Sequence, residues 1–145
     1  MKKFQFHLQK VIDIKEKNRE LVEWSYTKIL NDLQKEEKKL ADLFSDKQQI
    51  EKQLSDEQKK GITIIKLQQV YDYLAFLRSQ INQQKEMIKK QEHQLQEKKD
   101  ELKEAKIEEK IWHHYKDKRL QEYLLESKRD EQKQIDELAT YRSYY

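Results

Sequence analysis

Apolar residues recur along this chain in alternating steps of four and three. From Val22 the series runs Val22, Tyr26, Ile29, Leu33, Leu40, Leu43, Ile50 and Leu54, with Glu36 and Lys47 in two slots where an apolar residue is due. A second series runs Val70, Leu74, Leu77, Ile81, Ile88, Leu95, Leu102, Ala105 and Trp112, with Gln84, Gln91, Lys98 and Glu109 in the remaining slots. Heptads sustained over this length predict a coiled coil. Two such arms joined by a short stretch without the period predict an antiparallel hairpin. The expected fold is all-α: a single long two-helix antiparallel coiled-coil hairpin with a C-terminal helical overhang. Arm one covers about residues 3–56, the turn about 57–65, and arm two about 66–142.

Pairing residues whose numbers add to about 124 sets a register. Leu54 then faces Val70, Ile50 faces Leu74, Leu43 faces Ile81, Ile29 faces Leu95 and Val22 faces Leu102. Each polar slot meets an apolar residue, Glu36 with Ile88, Lys47 with Leu77 and Gln84 with Leu40. A slip of one heptad also pairs tolerably. The turn falls in "SDEQKKGIT", which holds Gly61, the one glycine of a chain without proline. Glycine reaches left-handed backbone angles without a Cβ penalty and commonly ends helices. Ser55 and Asp56 are candidates to start a short extra turn, and Thr63 to cap the second arm.

The same register puts Phe4 beside Leu120 and leaves an overhang from about residue 123, which as a helix extends about 35 Å. It carries Tyr123, Leu124, Leu125, Ile135, Leu138, Tyr141, Tyr144 and Tyr145. A partner or a second copy is expected to cover them. Near residues 18–24 the phase slips: Phe4, Leu8, Val11 and Lys15 keep one frame and Val22 opens another, as a four-residue insertion would produce. Trp24 then lies outside the seam, either as a contact residue or flat along its own helix.

Composition narrows the class. The chain is 35% hydrophobic and 41% charged, with a mean hydropathy of −1.23, too polar for one compact core. Its 31 basic and 28 acidic residues are finely mixed, as in "EKKDELKEAKIEEK", which suits i,i+4 pairs on a solvated helix face. Nucleic-acid binding is not expected, because that affinity needs concentrated basic charge. Zero cysteines excludes disulfides and thiolate metal sites. No stretch approaches 18 apolar residues and "MKKFQFHLQK" lacks a signal-peptide core, so neither membrane insertion nor ordinary secretion is expected.

Candidate chemistry is sparse. His7, His93, His113 and His114 include no histidine pair three or four apart, the spacing of two metal ligands on one helix face. A two-helix hairpin offers carboxylates no desolvated pocket for acid–base work. One glycine cannot build a phosphate loop, and "VYDYLAFL" reads as hairpin packing rather than a cofactor box. No enzyme activity and no cofactor are expected.

Three stretches carry a family resemblance. "FQFHLQKVIDIKEKNRE" (residues 4–20) resembles the opening of the FliJ family of flagellar type III export proteins. "KLQQVYDYLAFLRSQINQQ" (residues 66–84) and "RDEQKQIDELA" (residues 129–139) are similar to that family's later segments, in the same order around the glycine. The resemblance implies a cytoplasmic protein, peripheral at the inner membrane through the export apparatus. It would serve as a stalk entering the hexameric ring of the export ATPase, contact the cytoplasmic part of the membrane export gate, and escort export chaperones. Carried over by position, the ATPase contacts would be Phe4, Phe6, Leu8, Lys10, Trp112 and Arg119. The gate contacts would be Leu43, Ile50, Tyr73, Leu77 and Gln84. All of these but Tyr73 also fit simple core packing, and Asp46 stands where other members carry an aromatic. The chaperone contacts would be Leu124, Arg129, Lys133, Ile135 and Leu138. The alternative is a generic coiled-coil scaffold that dimerises through its C-terminal stretch.

Overall fold

The computed structural model describes residues 3–144, so Tyr145 of the expected overhang lies outside it. Two helices make up the fold, α1 (Gln9–Lys60, 52 residues) and α2 (Ile64–Tyr144, 81 residues), packed against each other as an all-α hairpin. Among the described residues there is no strand. The turn is shorter than the nine residues expected. Ser55 and Asp56 start nothing new and continue α1, whose last turn ends in Lys59 and Lys60, cations that suit the negative end of a helix. Gly61 follows with φ of 93°, and Thr63 caps α2 by accepting a hydrogen bond from Lys66 N at 3.3 Å.

Contacts group into two units, one of residues 23–101 and one of the segments up to Val22 and from Leu102 onward. In the first unit every expected seam position is buried or half-buried, with Leu33, Leu54, Leu74, Leu77, Ile81 and Ile88 the most enclosed. The polar slots do not simply face apolar residues. Gln84 donates to both the backbone carbonyl and the carboxylate of Glu36, so two polar seam residues satisfy each other. Lys47 lies 3.9 Å from Glu51. Across the turn, Lys66 meets Glu57 at 3.6 Å.

The second unit corrects two expectations. No phase slip occurs near residue 20: Leu8, Ile12, Lys15, Arg19 and Val22 are all buried or half-buried and continue the steps of four and three. Ile12 is fully enclosed, whereas Val11 is only half-buried. Arg19 hid the frame, because a charged residue occupies a seam slot. It is held there by Glu109, with Nε 2.7 Å from Oε2.

The helix also starts later than expected. Residues 3–8 are not helical, and their exposure alternates strictly, with Phe4, Phe6 and Leu8 turned inward and Lys3, Gln5 and His7 outward. A period of two belongs to extended chain rather than to helix. Non-helical backbone advances up to about 3.3 Å per residue against 1.5 Å in a helix, so this lead reaches farther along α2. Phe4 therefore meets Tyr123, with ring centroids 5.5 Å apart, rather than Leu120. Burial on α2 continues to Ser127, and exposure is unbroken from residue 128.

The register shows in charged contacts on both units. Lys15–Glu108, Gln9–Lys116 and Glu57–Lys66 join residues whose numbers add to 123–125, while Glu36–Gln84 adds to 120, Arg19–Glu109 to 128 and Glu16–His113 to 129, a scatter about the expected 124 that long side chains reach.

Two substitutions test this account. Gly61→Ala places a Cβ in open space but at a left-handed backbone angle, so urea unfolding should show a loss of about 1–2 kcal/mol. Ile12→Ala should cost about 2–5 kcal/mol by the same measurement; a near-zero loss would remove Ile12 from the core.

Candidate functional site

The end of the hairpin that carries the lead is an aromatic cluster. Phe6, buried, meets Tyr115 nearly edge-on with centroids 5.7 Å apart, and Tyr115 meets Trp112 at 6.1 Å in perpendicular geometry. Such edge contacts are the favoured arrangement for aromatic quadrupoles. Phe4, Leu8 and Trp112 are half-buried, while Lys10 and Arg119 are exposed. Arg119 lies 3.1 Å from Glu122, and a shallow recess between lead and helix is lined by Lys3, Phe4, Arg119, Tyr123 and Glu126. Of the residues assigned to an ATPase contact, Phe6 and Trp112 thus meet through Tyr115, and Phe4 and Arg119 line one recess. Phe6 serves the fold, and Lys10 and Arg119 present charge.

Around the aromatic cluster runs a set of charged groups crossing from α1 to α2. Lys15 pairs with Glu108 at 2.8 Å and Arg19 with Glu109 at 2.7 Å. His113 Nε2 lies 2.9 Å from Glu16 and 3.8 Å from Glu109. Glu16, Glu109 and His113 form a group able to ligate a metal ion, with one donor atom from each within 4.8 Å of the others. A search for paired histidines misses it. The signal in the sequence is a carboxylate four residues before a histidine, and Glu16 joins only once the register is known.

The positions assigned to the export gate lie in the unit of residues 23–101 and are mostly seam. Leu77 is buried, Leu43 and Ile50 are half-buried, and Gln84 is bonded to Glu36. Tyr73 is exposed and stacks on Phe76, at 6.3 Å and 27° between planes. Arm one does offer an aromatic in this stretch, Phe44, two residues before Asp46, with the Lys85 ammonium 5.2 Å from its ring centre. Sequence reasoning also missed Ile64 and Ile65, which stand exposed beside the turn. Trp24 is exposed as well, with the Lys28 ammonium 5.4 Å from its ring.

The chaperone positions Leu124, Arg129, Lys133, Ile135 and Leu138 are all exposed on α2, as are Tyr141 and Tyr144. Leu120, Leu124, Ser127, Glu131, Gln134, Leu138 and Tyr141 keep steps of four and three, although burial follows Leu120, Tyr123 and Ser127 and leaves Leu124 exposed. Three of these positions, Ser127, Glu131 and Gln134, are polar.

Of the titratable groups, Glu36 stands out. The Gln84 hydrogen bond holds its carboxyl below the ordinary 4.5, against the opposing effect of burial and with help from Lys39. No helix among the described residues is long and apolar enough to cross a membrane.

The family model described as flagellar FliJ protein matches residues 4–144. No curated protein matches the chain. A solved chain of Chlamydia trachomatis, CT670, described as a candidate YscO homolog, is similar at 22% identity over 95% of this chain and 94% of that one, with a TM-score of 0.48.

Because the folded Glu36 carboxyl binds its proton less tightly than in the unfolded chain, its contribution is present above about pH 4.5 and disappears as the pH falls through the lowered folded value. Glu36→Gln should therefore lose less stability than the native chain between about pH 6 and about pH 3. Equal losses in urea titrations at the two pH values would rule out this linkage.

Proposed function

The chain belongs to the FliJ family of flagellar proteins, and from that premise we propose that it is the stalk-like partner of the flagellar export ATPase. It is a component of the flagellar type III export apparatus. The observation that carries the finer reading is the family match across residues 4–144, which takes in both the aromatic end and the exposed C-terminal stretch of α2.

Each proposed contact follows from what a surface offers. At the aromatic end, Lys10 and Arg119 are the exposed cations beside half-buried Phe4, Leu8 and Trp112, a mixture suited to a contact inside the ATPase hexamer. Tyr73 is the exposed member of the gate set, and gate binding would rest on it together with its neighbour Phe76. Leu43, Ile50, Leu77 and Gln84 hold the seam, and their replacement would act on the fold first. Leu124, Ile135 and Leu138 with Arg129 and Lys133 offer export chaperones an apolar stripe bordered by cations. Through these contacts the protein would work in the cytoplasm at the inner face of the membrane.

A second reading is a scaffold that pairs with its own copy, and exposed Leu138 and Tyr141 favour it. In a parallel, in-register pair Glu131 would face Glu131 at a core slot, where like charges destabilise.

Turnover of the export ATPase with the full chain separates these readings. The native chain should stimulate it, Lys10→Glu with Arg119→Glu should abolish most of that stimulation, and Ile135→Asp with Leu138→Asp should leave it intact. The last variant should lose chaperone binding by at least about tenfold, the loss expected on truncating central contacts. No stimulation by the native chain would reject the stalk, and a dimer in sedimentation would then favour the scaffold.

A further inference from the structure

Glu109 and His113 stand one turn apart on α2, and Glu16 reaches them from α1. All three are half-buried. His113 Nε2 is 2.9 Å from Glu16 Oε1 and 3.8 Å from Glu109 Oε1. Two ligands of one tetrahedral zinc ion, each about 2.0–2.2 Å from the metal, sit roughly 3.4 Å from each other. The three donor atoms already bracket that spacing, so rotation of side chains brings them onto one ion.

We propose that Glu16, Glu109 and His113 form a binding site for Zn²⁺ that ties α1 to α2 at the aromatic end of the hairpin. One imidazole nitrogen and two carboxylate oxygens supply three ligands, and water takes the fourth position. The imidazole selects zinc over magnesium and calcium, which prefer oxygen throughout. Arg19 bonds both oxygens of Glu109, and a bound ion would displace the longer of the two contacts. Its Nε holds Glu109 Oε2 at 2.7 Å, while Oε1, the oxygen nearer His113, is 3.5 Å from its terminal nitrogen. Arg19 thus orients the carboxylate from outside, as outer partners of metal ligands commonly do. Its positive charge also weakens cation binding, which sets the expected affinity in the micromolar range rather than that of a site needed for folding. Lys15 is engaged by Glu108, next to the cluster rather than within it.

The ligands come from two helices, so the ion binds the folded hairpin and not the separated chain. Zinc should therefore raise the unfolding temperature. His93 provides the internal control, since it too has a carboxylate four residues away, Glu97, but among the described residues no third ligand joins them.

The test is titration of the full-length chain with Zn²⁺ against a chromophoric chelator near neutral pH, with helicity checked by circular dichroism. The native chain should bind one Zn²⁺ with a micromolar Kd and melt higher with zinc. His113→Ala and Glu16→Gln should each weaken binding by at least about tenfold and lose the thermal shift. His93→Ala should change neither, and Mg²⁺ should not compete. Zinc binding that is absent in the native chain, or equal in helical His113→Ala and native protein, would overturn the proposal.

Discussion

A hairpin of two helices has no third layer, so one stripe on each helix must provide all the apolar burial that holds the fold. That seam sets everything else. Among the described residues Ile12 alone is completely enclosed, and most seam positions are half-buried, because two cylinders in contact always leave solvent on both flanks. Half-burial explains how charged residues occupy seam slots. Lys47 is half-buried, its ammonium 3.9 Å from Glu51. Arg19 and Glu109 meet each other, as do Glu36 and Gln84. A slip of one heptad would separate these polar partners and leave them facing apolar side chains, so they fix the register that the apolar residues alone tolerate loosely.

The lead segment solves a different problem. At the aromatic end the chain abandons the helix for six residues, and the alternation of Phe4, Phe6 and Leu8 lays three apolar side chains along α2. The lead thus protects Tyr123 and the neighbouring turn, and α2 becomes fully exposed only after Ser127. Between α1 and α2, Gly61 and Thr63 reverse the chain in three residues, one supplying the left-handed angle and the other the cap.

The heptads of residues 22–54 and 70–112 were readable to the residue, including the slots held by Glu36, Lys47, Gln84, Gln91, Lys98 and Glu109. Legibility failed where a charge replaced an apolar side chain and where the period changed. Arg19 concealed continuity that only its partner Glu109 reveals. The alternation in "KFQFHL" was visible but was overwritten by the four-residue step from Phe4 to Leu8. The Glu16, Glu109 and His113 group was illegible for a third reason, since its members lie on both arms and meet only through the register. The contact surfaces stand between these cases: exposure picks Tyr73 out of the gate set, but exposure alone names no partner.

The exposed stretch of α2 limits how tightly anything can hold it. Fully burying an exposed leucine or isoleucine side chain is worth about 1.5–3 kcal/mol, and Leu124, Ile135, Leu138 and Tyr141 are only 52–64% exposed, so together they offer about 4–7 kcal/mol. Association costs about 4–15 kcal/mol in lost translational and rotational freedom, and the polar slots at Glu131 and Gln134 add desolvation. The apolar stripe alone therefore supports brief contact and not a permanent complex. A partner that stayed would need cations opposite Glu131 or acceptors near Arg129 and Lys133.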